Sequence, residues 1–131
     1  MKALVLAIAL AFTAPAFAAE DAHSHGHAAE EAKLVLNQGK KWQTDAPLRQ
    51  GMENIRAVVA KGAKDEALAK AVEAEVAGIV QNCKLEPEAD EQLHIVIAEL
   101  MAGAEAKDAG RVAKALNAYG EHFDHAGWKR L

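Results

Sequence analysis

The sequence predicts an all-α protein, an antiparallel up-down-up-down four-helix bundle behind a disordered N-terminal tail, and three observations carry that expectation. Apolar residues recur at helical spacing in four separate stretches after residue 43, and none shows the strict alternation of a strand. Gly62, Pro87 and Gly110 punctuate the junctions between those stretches. The intervening connections are short, and short connections force successive helices to pack antiparallel.

Residues 1–18 read as a signal peptide. Lys2 gives a positive start, an apolar run follows, and Ala16-Phe17-Ala18 forms an A-x-A cleavage site, so cleavage is expected between Ala18 and Ala19. The destination implied is the periplasm. The apolar run falls short of the roughly 20 residues that span a bilayer, and no later segment approaches that length, so no membrane span is expected in the mature protein. One domain is expected from what remains.

Residues 19–43 read as a tail and linker. Residues 19–32 are rich in Ala, Glu and His without large apolar side chains, and such a segment cannot offset its ordering entropy. Within it, His23-Ser24-His25-Gly26-His27 alternates imidazoles in a manner suited to copper or zinc. The segment from Leu34 to Trp42 then leads into the bundle, with Gly39 interrupting any helix.

The bundle occupies residues 44–131. The first helix opens at Thr44-Asp45, with Pro47 in its first turn, and stops at Gly62; Leu48, Met52, Ile55 and Val59 form its stripe. The second runs from Asp65 to Cys83 with Leu68, Val72, Val76 and Ile79 on one face. The third opens with Pro87-Glu88-Ala89-Asp90, placing proline early and acids where the helix dipole favours them, and carries Leu93, Ile97, Leu100 and Ala104. The fourth follows a break at Gly110, carries Val112, Leu116, Tyr119 and Phe123, and ends at Gly127-Trp128.

Composition excludes several function classes. Nineteen acidic residues outweigh fifteen basic ones, and the basic residues are dispersed, so no nucleic-acid footprint is present. Cys83 is the single cysteine, which forbids an intramolecular disulfide and leaves either a small core residue or a metal ligand. The chain has no Gly-rich phosphate loop, Cys-x-x-Cys pair or His-Glu-x-x-His helix. A narrow bundle offers little room for a substrate cleft with an oxyanion site, so the chain is expected not to be an enzyme.

An up-down-up-down order brings the starts of helices one and three to the end where helices two and four finish. Met52, Cys83, His94, His122 and His125 therefore gather at one mouth, at similar heights for a rise of ~1.5 Å per residue, with Trp42 and Trp128 flanking them. On a wheel of ~100° per residue Met52 points inward, His94 and His122 lie at stripe edges, and His125 turns further outward. Thioether, thiol and imidazole together suit haem iron, copper or zinc. Each residue also has a plain reading, as core filler or as a half-buried polar side chain.

The string Leu48-Arg49-Gln50-Gly51-Met52-Glu53-Asn54-Ile55, and Asn117-Ala118-Tyr119 ahead of a terminal histidine region, resemble the cytochrome b562 family of exported four-helix bundles. That resemblance implies haem b held noncovalently, Met52 as one axial ligand, His122 or His125 as the other, and single-electron transfer to a redox partner. Gly120 stands where that family's histidine would come, and Cys83 and His94 are extra to its pattern. Those two fit the alternative, copper or zinc bound by Met52, Cys83, His94 and His122 or His125, with His23, His25 and His27 as an auxiliary tail site and a metal-delivery partner. A cofactor-free interaction or stress protein is the third reading. The phrases Gly39-Lys40-Lys41-Trp42-Gln43-Thr44-Asp45 and Phe123-Asp124-His125-Ala126-Gly127-Trp128 are also similar to those of small exported proteobacterial proteins, some labelled DnrO, a likeness that implies no mechanism.

Overall fold

The computed structural model describes residues 33–131, so the expected signal peptide and the tail histidines His23, His25 and His27 lie outside the described residues. Four helices follow in order: α1 (Ala46–Ala60), α2 (Asp65–Asn82), α3 (Pro87–Glu105) and α4 (Ala109–His122). Each packs against its neighbour in the chain, and α4 closes against α1, which makes an up-down-up-down bundle. No described helix is long and apolar enough to cross a membrane.

The ends follow from local chemistry. Asp45 caps α1 by accepting the Leu48 N–H on its carboxylate, and Pro47 sits in the first turn, where its missing N–H costs nothing. At the other end Gly62 takes a left-handed conformation, φ 84°, so that its N–H reaches the Val59 carbonyl and the Ala63 N–H reaches Val58. α3 ends the same way with a different residue. Lys107, at φ 54°, bonds Ala104 while the Asp108 N–H reaches Gly103, and Asp108 then caps α4 through the Arg111 N–H. The break therefore lies at 106–108, and Gly110, expected to be the breaker, belongs to the first turn of α4.

The stripes converge on one core. Leu48, Met52, Ile55, Leu68, Val72, Leu93, Leu100, Val112, Leu116, Tyr119 and Phe123 are fully enclosed. Ile97 is only partly covered, and Val96 takes the buried place on α3. Among the described residues no charged or amide-bearing residue is buried, and the Tyr119 hydroxyl is a polar group carried into the enclosed core.

Two segments outside the helices close one end. Of the strap 33–45, residues 33–43 belong to the segment expected as a flexible linker, yet the strap is pinned to the bundle: Asn37 and Lys40 pair across a tight turn, and Trp42 is buried to 8% exposure. Its backbone pairs in parallel with the residue after α4, the Trp42 N–H donating to the His122 carbonyl at 2.9 Å and the Asp124 N–H to Trp42 at 2.8 Å. Side chains add to this, with Trp42 Nε1–H on the Val35 carbonyl and the Val35 N–H on Gln92 of α3. The C-terminal segment 123–131 returns along α4, where Asn117 exchanges two hydrogen bonds with the Leu131 backbone.

Candidate functional site

The bundle does bring the chemistry-bearing residues to one end. The Lys84 N–H, just past α2, donates to the Asp45 carboxylate ahead of α1 at 2.6 Å, and the Trp42 pairing fixes the end of α4 beside them. Convergence of elements is not convergence of side chains, however. Among the described residues no group of three or more His, Cys, Asp or Glu is placed to hold a metal ion.

Each candidate has its own local occupation. Met52 is fully enclosed in the apolar core with Leu48, Leu93, Leu116, Tyr119 and Phe123. His94 is exposed and turns Nδ1 back to the Asp90 carbonyl at 2.7 Å, with the Asp90 carboxylate 3.5 Å away. His122, half-buried, does the same with the Ala118 carbonyl at 2.7 Å. Cys83 caps α2 and lies half-buried against the core; burial pushes its thiol up, and the carboxylates of Asp45 and Asp90 push it further, so the thiolate that binds soft metals is disfavoured.

His125 differs most from expectation. Its side chain is 6% exposed and turned inward, because α4 stops at His122 and Phe123 takes an extended conformation. A helical wheel carried past the last turn therefore places it on the wrong side. Its Nδ1 lies 2.8 Å from the Tyr119 hydroxyl and its Nε2 lies 3.3 Å from a Glu53 carboxylate oxygen on α1. A neutral ring satisfies both contacts, with the phenol donating to Nδ1 and Nε2–H donating to Glu53. Burial lowers the His125 pKa against the opposing pull of Glu53, and Arg49 and Arg56 lower it further. Burial also pushes the Tyr119 phenol well above its usual range.

Around this bridge the rings stack. Tyr119 meets Trp128 edge-on with centroids 4.9 Å apart, His125 lies 5.0 Å from Trp128, and the Arg56 guanidinium sits 5.9 Å over the indole. Gly120 is what admits the indole. A Cβ there would stand 2.2 Å from Trp128 Cδ1, so this helix position tolerates no side chain while Trp128 stays docked. The Trp128 Nε1–H is buried without a partner.

Haem fits these residues poorly. A macrocycle gripped by Met52 needs an open slot beside the thioether, and Met52 has no exposed surface. His125 Nδ1 and Nε2 are both engaged, and Gly120, where the resemblance wants a histidine, is occupied by the indole. A cavity of about 540 Å³ does open at this end, bounded by Trp42, Asp45, Lys84, Leu85, Glu86 and Pro87 among others, but no histidine or methionine lines it.

Sequence reasoning missed Glu53, Arg56 and the double duty of Asp45. Glu53 and Arg56 have helix spacing and pair locally, which conceals that both also face the segment beyond α4. Asp45 carries a legible capping signal, yet its second oxygen serves Lys84, 39 residues away. The tail histidines His23, His25 and His27 lie outside the described residues. No family model, no curated protein and no solved structure matches this chain.

Proposed function

We propose that the chain is an exported interaction protein whose bundle works without a resident haem or metal in its core, presenting the strap end as its recognition surface. One observation carries this reading: the side chains that would ligate a cofactor are committed to packing and local hydrogen bonds. Met52 is enclosed, His125 bridges Tyr119 and Glu53, and His94 and His122 turn one ring nitrogen to their own helices. The thiol of Cys83 is held in its protonated form by burial and two nearby carboxylates.

The test is an ultraviolet-visible spectrum of protein purified from the periplasm, oxidised and then dithionite-reduced, followed by titration with haem. The expected result is no Soret band at purification and no b-type spectrum on titration. A spectrum that sharpens on reduction, and that disappears in Met52→Ala and His122→Ala, would instead establish the electron carrier that the cytochrome b562 resemblance implies.

A second reading rests on the His23-Ser24-His25-Gly26-His27 tract alone, which has the composition of a copper or zinc chelator independent of the bundle. Elemental analysis of the full chain, beside a variant with all three histidines changed to alanine, separates it from the first. Copper or zinc lost with the tract, with unchanged thermal unfolding of metal-free protein, supports metal handling by the tail. Metal retained without the tract would move the site back to the bundle.

A further inference from the structure

We infer that the cavity between the strap and the α2–α3 connection binds a small organic cation, an ammonium group carried on an apolar body. The inference deepens the interaction-protein reading and rests on it. At about 540 Å³ the cavity falls within the range of small-molecule sites, roughly 300–1,000 Å³. Its apolar lining comes from Trp42, Leu85, Pro87 and Ala89, which offer an indole and aliphatic surface to a hydrocarbon or aromatic body.

The charged lining sets the sign. Asp45, Glu86 and Glu88 face the cavity against the single ammonium of Lys84, an excess of negative charge at the mouth. Asp45 is fixed in place, since one carboxylate oxygen takes the Leu48 N–H at 3.1 Å and the other takes the Lys84 N–H at 2.6 Å. Among the described residues none of the ion pairs involves Glu86, Glu88 or Lys84. The two glutamates are exposed and available to a ligand. α1 and α3 both begin here, and helix starts favour anions. The chain answers those dipoles itself, with Asp45 capping α1 and Glu88 and Asp90 in the first turn of α3. A cation on an apolar body meets carboxylates together with the apolar side chains of the lining. An anion meets three carboxylates.

The experiment is an amide and indole nuclear magnetic resonance titration of the full mature chain with three probes of one shape: 2-phenylethylammonium, 2-phenylethanol and phenylacetate. The chain's two tryptophans serve as reporter and control, since Trp42 lines the cavity and Trp128 packs against Gly120. The ammonium should give saturable shifts at Trp42 and residues 84–89 with Trp128 unmoved, the alcohol should bind more weakly, and phenylacetate should not bind. The double variant Glu86→Gln, Glu88→Gln, exposed positions at the start of α3 where lost carboxylates cost the helix a modest part of its stability, should weaken the ammonium about fivefold, as expected for two partly screened ion pairs. Phenylacetate binding as well as the ammonium, no saturable shift with any probe, or an unchanged Kd in the double variant would each overturn the inference. None of those results bears on haem uptake at Met52, so the inference and the reading beneath it fail separately.

Discussion

Met52→Ala is expected to lower the unfolding free energy by roughly 2–5 kcal/mol in urea melts, the cost of emptying a fully enclosed long apolar side chain. Met52 belongs to the enclosed core that also holds Tyr119 of α4 and Phe123 just beyond it, whose rings stack 5.2 Å apart. His122→Ala is the control. Its ring is half-buried and bonded only to a carbonyl of its own helix, so the change should cost under about 1 kcal/mol. The asymmetry distinguishes packing from ligation, because two axial ligands of one iron would be lost together, each abolishing the same spectrum. A Met52→Ala protein of unchanged stability, from a wild type that had carried haem, would show that Met52 serves the cofactor and not the core.

The helical stripes were legible because burial on one side of a helix writes a 3.6-residue period directly into the chain. Leu48-Met52-Ile55 and Val112-Leu116-Tyr119 occupy the buried faces that their spacing implies. On α3 the period admits two neighbouring phases, and the structure buries Val96 where the spacing favoured Ile97. What the sequence conceals is any element held by a distant backbone. Trp42 follows two lysines in a segment without helical spacing, and its backbone is held by carbonyl and amide groups at His122 and Asp124, some 80 residues away. Backbone groups carry no residue identity, so that pairing leaves no pattern to read. The candidate site divides in the same way. Topology alone gathers Met52, Cys83 and three histidines at one end, but the inward turn of His125 depends on where α4 stops, and helix ends are the least legible part of a sequence.

That inward turn makes the closed end acid-sensitive. His125 is held neutral by burial, whereas in the unfolded chain it titrates near pH 6.5. The unfolded state therefore takes up the proton first as pH falls, so the stabilisation is complete above about 6.5 and is lost as pH drops through the lowered folded value. Protonation also turns Nδ1 from acceptor to donor and deprives the buried Tyr119 hydroxyl proton of its partner. The groups that face the ring are Glu53, Arg49 and Arg56 from α1 and Tyr119 from α4, with Trp128 beside them. Tyr119→Phe, which strands the buried Nδ1 as an acceptor without a donor, should cost about 1–3 kcal/mol at pH 8, where the ring is neutral. His125→Gln can accept from the phenol and donate to Glu53 in a single charge state, so it should flatten the fall in urea midpoint between pH 7 and 5 that wild type shows. Glu53→Gln should steepen it, because Glu53 is the group that raises the His125 pKa and its loss leaves burial and two arginines unopposed. Equal slopes in wild type and His125→Gln would place the acid sensitivity elsewhere, and a shallower slope in Glu53→Gln would mean that the carboxylate, not the buried ring, controls how this end of the bundle opens.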